Sequence, residues 1–138
     1  MTSDLTDVLS NFFAAKWPVD KPILESGSLG ETWSAFAELG LHLVGVAEEH
    51  GGAGGTFGDL SALAVLAGRH AADVPIVEAT TAAWALAQAG LPIEEAASYS
   101  IPIGPSSIVV NDDGTIRGEV ADVPWGASVD LIVALTDD

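Results

Sequence analysis

An α+β fold, with a helical bundle-like unit over residues 1–98 and a partial antiparallel β unit over residues 99–138, is predicted by three features of the sequence. Apolar residues recur at helical spacing in four segments of the first part. Near residue 98 that period gives way to short runs rich in Ile and Val, punctuated by Pro and Gly. Residues 51–55 place four glycines within five positions, which forbids a helix there and permits sharp, close-packed backbone. Helices first and strands second is the α+β order.

The first helix is expected over residues 3–16, with Leu5, Val8, Leu9, Phe12 and Phe13 on one side and Ser3 or Asp4 as its cap. Trp17 before Pro18 disfavours continuation, and residues 18–27 read as a loop. Ser28 and Glu31 form a capping-box pattern that opens a second helix. That helix aligns Trp33, Phe36, Ala37 and Gly40, and Gly40 ends it. Thr56 and Asp59 repeat the start signal for a third helix, with Leu60, Leu63, Ala64 and Ala67 on its buried side and Pro75 as its far limit. A fourth spans residues 77–89, with Gly90 just beyond its end and an apolar face of Ala82, Ala83, Ala85, Ala87 and Ala89. A short helical turn fits Glu94–Ala97. Strands are expected at residues 108–110, 115–123 and 129–135, the last as a buried strand. Asn111 to Gly114 is the hairpin turn between the first two.

The 138 residues suit one domain, or one domain and part of a second. Hydrophobic residues make up 49%, enough for a core and too many for intrinsic disorder. The formal charge of −16 arises because only Lys16, Lys21, Arg69 and Arg117 are basic. Such a chain is unsuited to neutralising a nucleic-acid backbone or an anionic membrane. It favours solubility or a more basic partner subunit. With no cysteine, disulfides, thiolate metal sites and a cysteine nucleophile are excluded. The acidic N-terminus does not read as a secretory signal, and no apolar run is long enough to span a bilayer, so a cytoplasmic protein is expected.

One set of residues carries a family resemblance. Trp33, then Leu39, Gly40 and Leu41, then Val46 followed by Glu48, Glu49, His50, Gly51, Gly52, Gly54 and Gly55, then Asp59 and the Gly68–Arg69 pair, resemble the N-terminal helical domain of the acyl-CoA dehydrogenase family. The resemblance is dense over residues 33–69 and looser after residue 98. It implies that residues 1–98 form the family's N-terminal domain and residues 99–138 the opening of its middle β domain. It implies an FAD flavoprotein, an oxidoreductase that introduces an α,β double bond into an acyl-CoA thioester in fatty acid or steroid side-chain catabolism. Homo- or hetero-oligomers are implied by the resemblance, and apolar surface left uncovered would make the third and fourth helices candidates for a compensating dimer interface. Within the family the acyl pocket is lined partly by the fourth-helix region, which makes Thr80, Thr81 and Trp84 the candidate substrate-binding residues here.

Other family features lack counterparts. The family's catalytic glutamate comes from a C-terminal domain, so no catalytic residue is assigned in this chain, and the chain alone is expected to be inactive. The flavin-contact motifs correspond to Ser100–Ser107 and Gly118–Pro124. Asp122 and Pro124 stand where an aromatic and a hydroxyl residue are expected, and Pro has no N–H to donate. These departures argue against autonomous FAD binding and leave an alternative: a non-catalytic, flavin-free partner subunit or helical interaction module.

The remaining candidates read as structural. Glu48 and Glu49 at the mouth of the glycine loop fit a surface or turn-anchoring role. His42, His50 and His70 lack metal-ligand spacing, and no metal site is expected. His42 is expected to be half-buried with one hydrogen bond. The glycine cluster has neither the lysine of a phosphate loop nor a dinucleotide fingerprint, so a tight structural reversal is its expected role.

Overall fold

The computed structural model describes residues 3–20 and 29–136, with side chains from residue 6 in the first segment. The expected side-chain cap at Ser3 or Asp4 falls where only the backbone is described, and the expected cap at Ser28 and much of the expected loop over residues 18–27 lie outside the described residues. Four helices and four very short strands follow in order. The helices are α1 (Ser3–Lys16), α2 (Leu29–Glu38), α3 (Phe57–Arg69) and α4 (Ile76–Gln88). The strands are β1 (Tyr99–Ser100), β2 (Val109–Val110), β3 (Ile116–Arg117) and β4 (Leu131–Ile132). The fold is α+β, with two sheets of two strands each. No described helix is long and apolar enough to cross a membrane.

The helices converge on one core. Leu9 and Phe13 of α1, Trp33 and Phe36 of α2, Leu63 and Leu66 of α3, and Ile76 and Ala79 of α4 are buried together. Val8 is instead exposed, because the stripe of α1 is narrower than its apolar residues. On α3 the buried side is centred on Leu63 and Leu66. Leu60, Ala64 and Ala67 are only half-buried, on the adjoining side of the helix. On α4 the buried alanines are Ala79, Ala82, Ala83 and Ala87, whereas Ala89 is exposed. Five alanines at the spacing expected for one face cannot share it at 3.6 residues per turn.

Tyr99 extends this core beyond the expected helical unit. It is buried against the helices, and its hydroxyl accepts from the Glu94 N–H (2.7 Å) and donates to the Glu94 carbonyl (3.1 Å). The turn near Glu94 is closed by Ala97 N–H donating to Glu94 O at 3.1 Å.

The β part departs from a purely antiparallel unit. β2 and β3 pair antiparallel across the Asn111–Gly114 turn, as the turn chemistry requires. β1 and β4 pair parallel, with Tyr99 opposite Leu131 and Ser100 opposite Ile132. The expected seven-residue buried strand at 129–135 reduces to Leu131–Ile132, whose side chains are exposed. Its apolar composition therefore lies on a sheet face left open. A reciprocal clamp holds the parallel pair. The Asp130 carboxylate accepts from the Ser98 N–H (2.8 Å) and hydroxyl (2.7 Å), while Asp130 N–H donates to the Ser98 hydroxyl (3.0 Å).

Hydrogen bonds from Ser98 hold the Asp130 carboxyl below its ordinary value. A depressed native pKa places this stabilisation above the unfolded carboxylate pKa of about 4, and it is lost as pH falls through the native value. Asp130→Ala is expected to cost about 1 kcal/mol at pH 7, given the exposure of the carboxylate. Urea unfolding at pH 7 and at pH 3 measures both effects: the stability gap between wild type and variant should narrow at the lower pH.

Candidate functional site

The glycine loop is built by backbone. Single 3-10 turns at Leu41–Leu43 and Glu48–His50 lead into it. Gly45 N–H donates to Gly54 O (2.8 Å), Gly54 N–H to Val46 O (2.8 Å), and Ala53 N–H to Leu43 O (3.1 Å). A Cβ at residue 52 would lie 2.1 Å from the Val46 carbonyl oxygen, so only glycine fits there. Gly54 and Gly55 adopt φ of 70° and 92°, open to glycine at little cost. Leu43 and Val46 bury their side chains against Ala83 and Ala87, which fixes the loop to α4.

α3 starts directly after the loop. Thr56 Oγ1 accepts from Asp59 N–H (3.3 Å), and Asp59 Oδ2 accepts from Thr56 N–H (2.7 Å), completing the expected capping box. Loop, α3 and α4 then enclose a cleft of about 440 Å³ lined by Val44, Gly45, Gly55, Phe57, Leu60, Thr80, Thr81 and Trp84. The three candidate substrate-binding residues, Thr80, Thr81 and Trp84, thus share one cavity. Its size falls within the roughly 300–1,000 Å³ of small-molecule sites. The missing side chains of Gly45 and Gly55 leave part of the space. A shallower groove continues between α3 and α4 past Ala64, Ile76 and Val77 towards Trp125.

Chemically the cleft is a binding surface without a base. None of its lining residues is a carboxylate, histidine or lysine. The Thr80 hydroxyl donates to Ile76 O (2.8 Å), and that of Thr81 donates to Val77 O (2.7 Å). Thr80 is buried, so its hydroxyl is not open to a ligand, whereas the half-buried Thr81 hydroxyl keeps acceptor capacity. Among the described residues the Trp84 indole N–H has no partner, unlike that of Trp33, which donates to Ala96 O at 3.0 Å, and that of Trp17, which donates to Asp73. Phe57 lines the cleft although nothing in the sequence marks it, and Gly55 belongs to the glycine cluster that the sequence reads only as a structural reversal.

Glu48 and Glu49 are exposed on the 3-10 turn, and Glu49 lies 3.7 Å from His50. Neither reaches the cleft. Among the described residues no group of three or more His, Cys, Asp or Glu is placed to hold a metal ion.

The two stretches matched to flavin-contact motifs engage each other. Ile103 N–H donates to Asp122 O (3.0 Å), Gly104 N–H to Ala121 O (3.3 Å), and Ser107 N–H to Glu119 O (2.8 Å). The buried Ser100 hydroxyl donates to the Pro124 carbonyl. A Cβ at Gly118 would lie 2.1 Å from Ser107 O, so the contact is tight. The backbone N–H groups of residues 103, 104 and 107 are thus paired within the β part.

His42 corrects the sequence expectation. It is fully buried beside Trp33, with ring centroids 5.4 Å apart, and neither ring nitrogen has a hydrogen-bond partner. Burial lowers its pKa, partly opposed by the backbone and carboxylate of Glu95.

Comparison with known protein families, characterised proteins and solved structures finds no match to this chain.

Two stability tests follow from these contacts. Gly52→Ala is expected to destabilise by about 3 kcal/mol, the upper end for a steric intrusion. Gly68→Ala, where a Cβ meets nothing within 4 Å, should add about 0.5–1 kcal/mol as helix propensity; chemical denaturation of both variants measures the contrast. For His42, a lowered native pKa gives stability that is full above the unfolded value of about 6.5 and declines as pH falls towards the native value. His42→Phe should flatten the fall in melting temperature between pH 7 and pH 5.

Proposed function

We propose that this chain acts as the N-terminal portion of an acyl-CoA dehydrogenase-like flavoprotein, supplying the helical wall that receives the acyl part of a thioester. The observation that carries the reading is the convergence of Thr80, Thr81 and Trp84 on one apolar cleft with Gly45 and Gly55 of the loop. Those three residues are the ones the resemblance singles out. In the complete enzyme of such a family, FAD supplies the hydride acceptor for α,β-dehydrogenation. This chain's own residues bind and orient: Leu60, Val44 and Phe57 exclude water from an acyl group, and the Thr81 oxygen offers an acceptor at its edge. The cleft holds no proton acceptor suited to α-proton abstraction, so the chain alone binds without turnover.

A second reading has an observation of its own. The mutual backbone pairing of residues 103–107 with 119–122 supports a flavin-free partner subunit that still contributes the cleft. An oligomer is part of either reading.

Isothermal titration with octanoyl-CoA and with CoA alone tests the cleft. Octanoyl-CoA is expected to bind at least tenfold tighter than CoA, and Thr81→Trp, which fills the cleft, should abolish the difference. Equal binding of the two ligands, or none, would overturn the proposal. Adding FAD, then separating free flavin, divides the two readings: retained visible absorption supports a flavoprotein, and a colourless protein supports the partner subunit.

A further inference from the structure

The nine aromatic side chains divide into two groups. Phe12, Phe13 and Trp17 contact one another, Trp33 and Phe36 form a separate ring pair, and Tyr99 is buried with its hydroxyl paired. Among the described residues, Phe57, Trp84 and Trp125 have no ring partner. Trp125 sits half-buried in the groove beyond the cleft. Phe57 and Trp84 both line the cleft itself, and they are 83% and 52% exposed. Each leaves a large apolar face in water, and each does so at the rim of one cavity. Two isolated rings on separate helices, α3 and α4, border a space whose remaining lining is aliphatic, glycine or threonine.

The geometry points to selection of a planar, ring-bearing acyl group over a linear one, the ring lying against Phe57 and Trp84. This rests on the reading of the cleft as an acyl site. A flat ring can present its face to one aromatic and its edge or other face to the second, in the offset or edge-on arrangements that aromatic pairs prefer. A flexible chain covers the same apolar area but gains no such pairing, and it loses more rotamer freedom on binding. The glycines at 45 and 55 project no side chain into the cleft, leaving width for a rigid plate.

The test compares two thioesters of equal acyl carbon number, 2-naphthoyl-CoA and undecanoyl-CoA, by isothermal titration against the full chain. Naphthoyl-CoA is expected to bind about tenfold tighter, the scale of one or two aromatic pairings. Phe57→Ala and Trp84→Ala should each weaken naphthoyl-CoA about fivefold and undecanoyl-CoA no more than about twofold. Both side chains are exposed, so these variants retain the core, which circular dichroism checks. Ring stacking on Trp84 should also quench part of the tryptophan fluorescence, and Trp84→Phe should remove that change. Undecanoyl-CoA binding as tightly as naphthoyl-CoA, or both variants weakening the two ligands equally, would overturn the ring preference while leaving the acyl cleft standing. Failure of both thioesters to bind would remove the cleft reading as well.

Discussion

The backbone at Gly52 passes so close to the carbonyl of Val46 that a single methyl group would force the two apart. This approach lets the loop turn back on itself and satisfy its own amides, through Gly45, Ala53 and Gly54. A loop that closes its own hydrogen bonds can then turn its apolar residues outward to a helix. Leu43 and Val46 meet Ala83 and Ala87, and small side chains on α4 allow close contact. The position of the cleft follows: one wall is the loop, the other is the adjoining side of α4, and α3 begins at the loop's end.

α4 is consequently shared by two structures. Ile76, Ala79 and Ala82 belong to the main core, Ala83 and Ala87 anchor the loop, and Thr80, Thr81 and Trp84 line the cleft. Small residues make this division possible, because alanine buries against two neighbours without demanding a deep socket. The β part is joined differently. Its short strands are held by local side-chain clamps, above all Ser98 with Asp130, and its two loop stretches spend their polar groups on each other.

Much of the helical part was legible because its signals are local. The Thr56–Asp59 box, the left-handed Gly40 and Gly90, and the Asn111–Gly114 turn each depend on a few neighbouring residues. What was not legible is non-local. The parallel pairing of Tyr99–Ser100 with Leu131–Ile132 spans more than thirty residues and leaves no period in either segment. Tyr99 joins the core although it borders a run of Pro and Gly, since a nearby backbone group pairs its hydroxyl. His42 is buried without a partner because the apolar run around it decides its position, against the ring's own preference for a hydrogen bond. In the cleft, Thr80, Thr81 and Trp84 came from the resemblance, whereas Phe57 required the fold: a helix-start residue becomes a wall only once α4 lies opposite.

The central claim, that the space between loop and α4 is a ligand site, is tested most directly by the indole N–H signals of the four tryptophans in a nitrogen-15 correlation spectrum. The Trp84 resonance, identified through Trp84→Phe, is predicted to shift saturably on titration with an acyl-CoA thioester, while those of Trp17 and Trp33, whose N–H groups are already paired, stay in place. A Trp84 signal unmoved by a thioester that binds elsewhere on the chain would contradict the account.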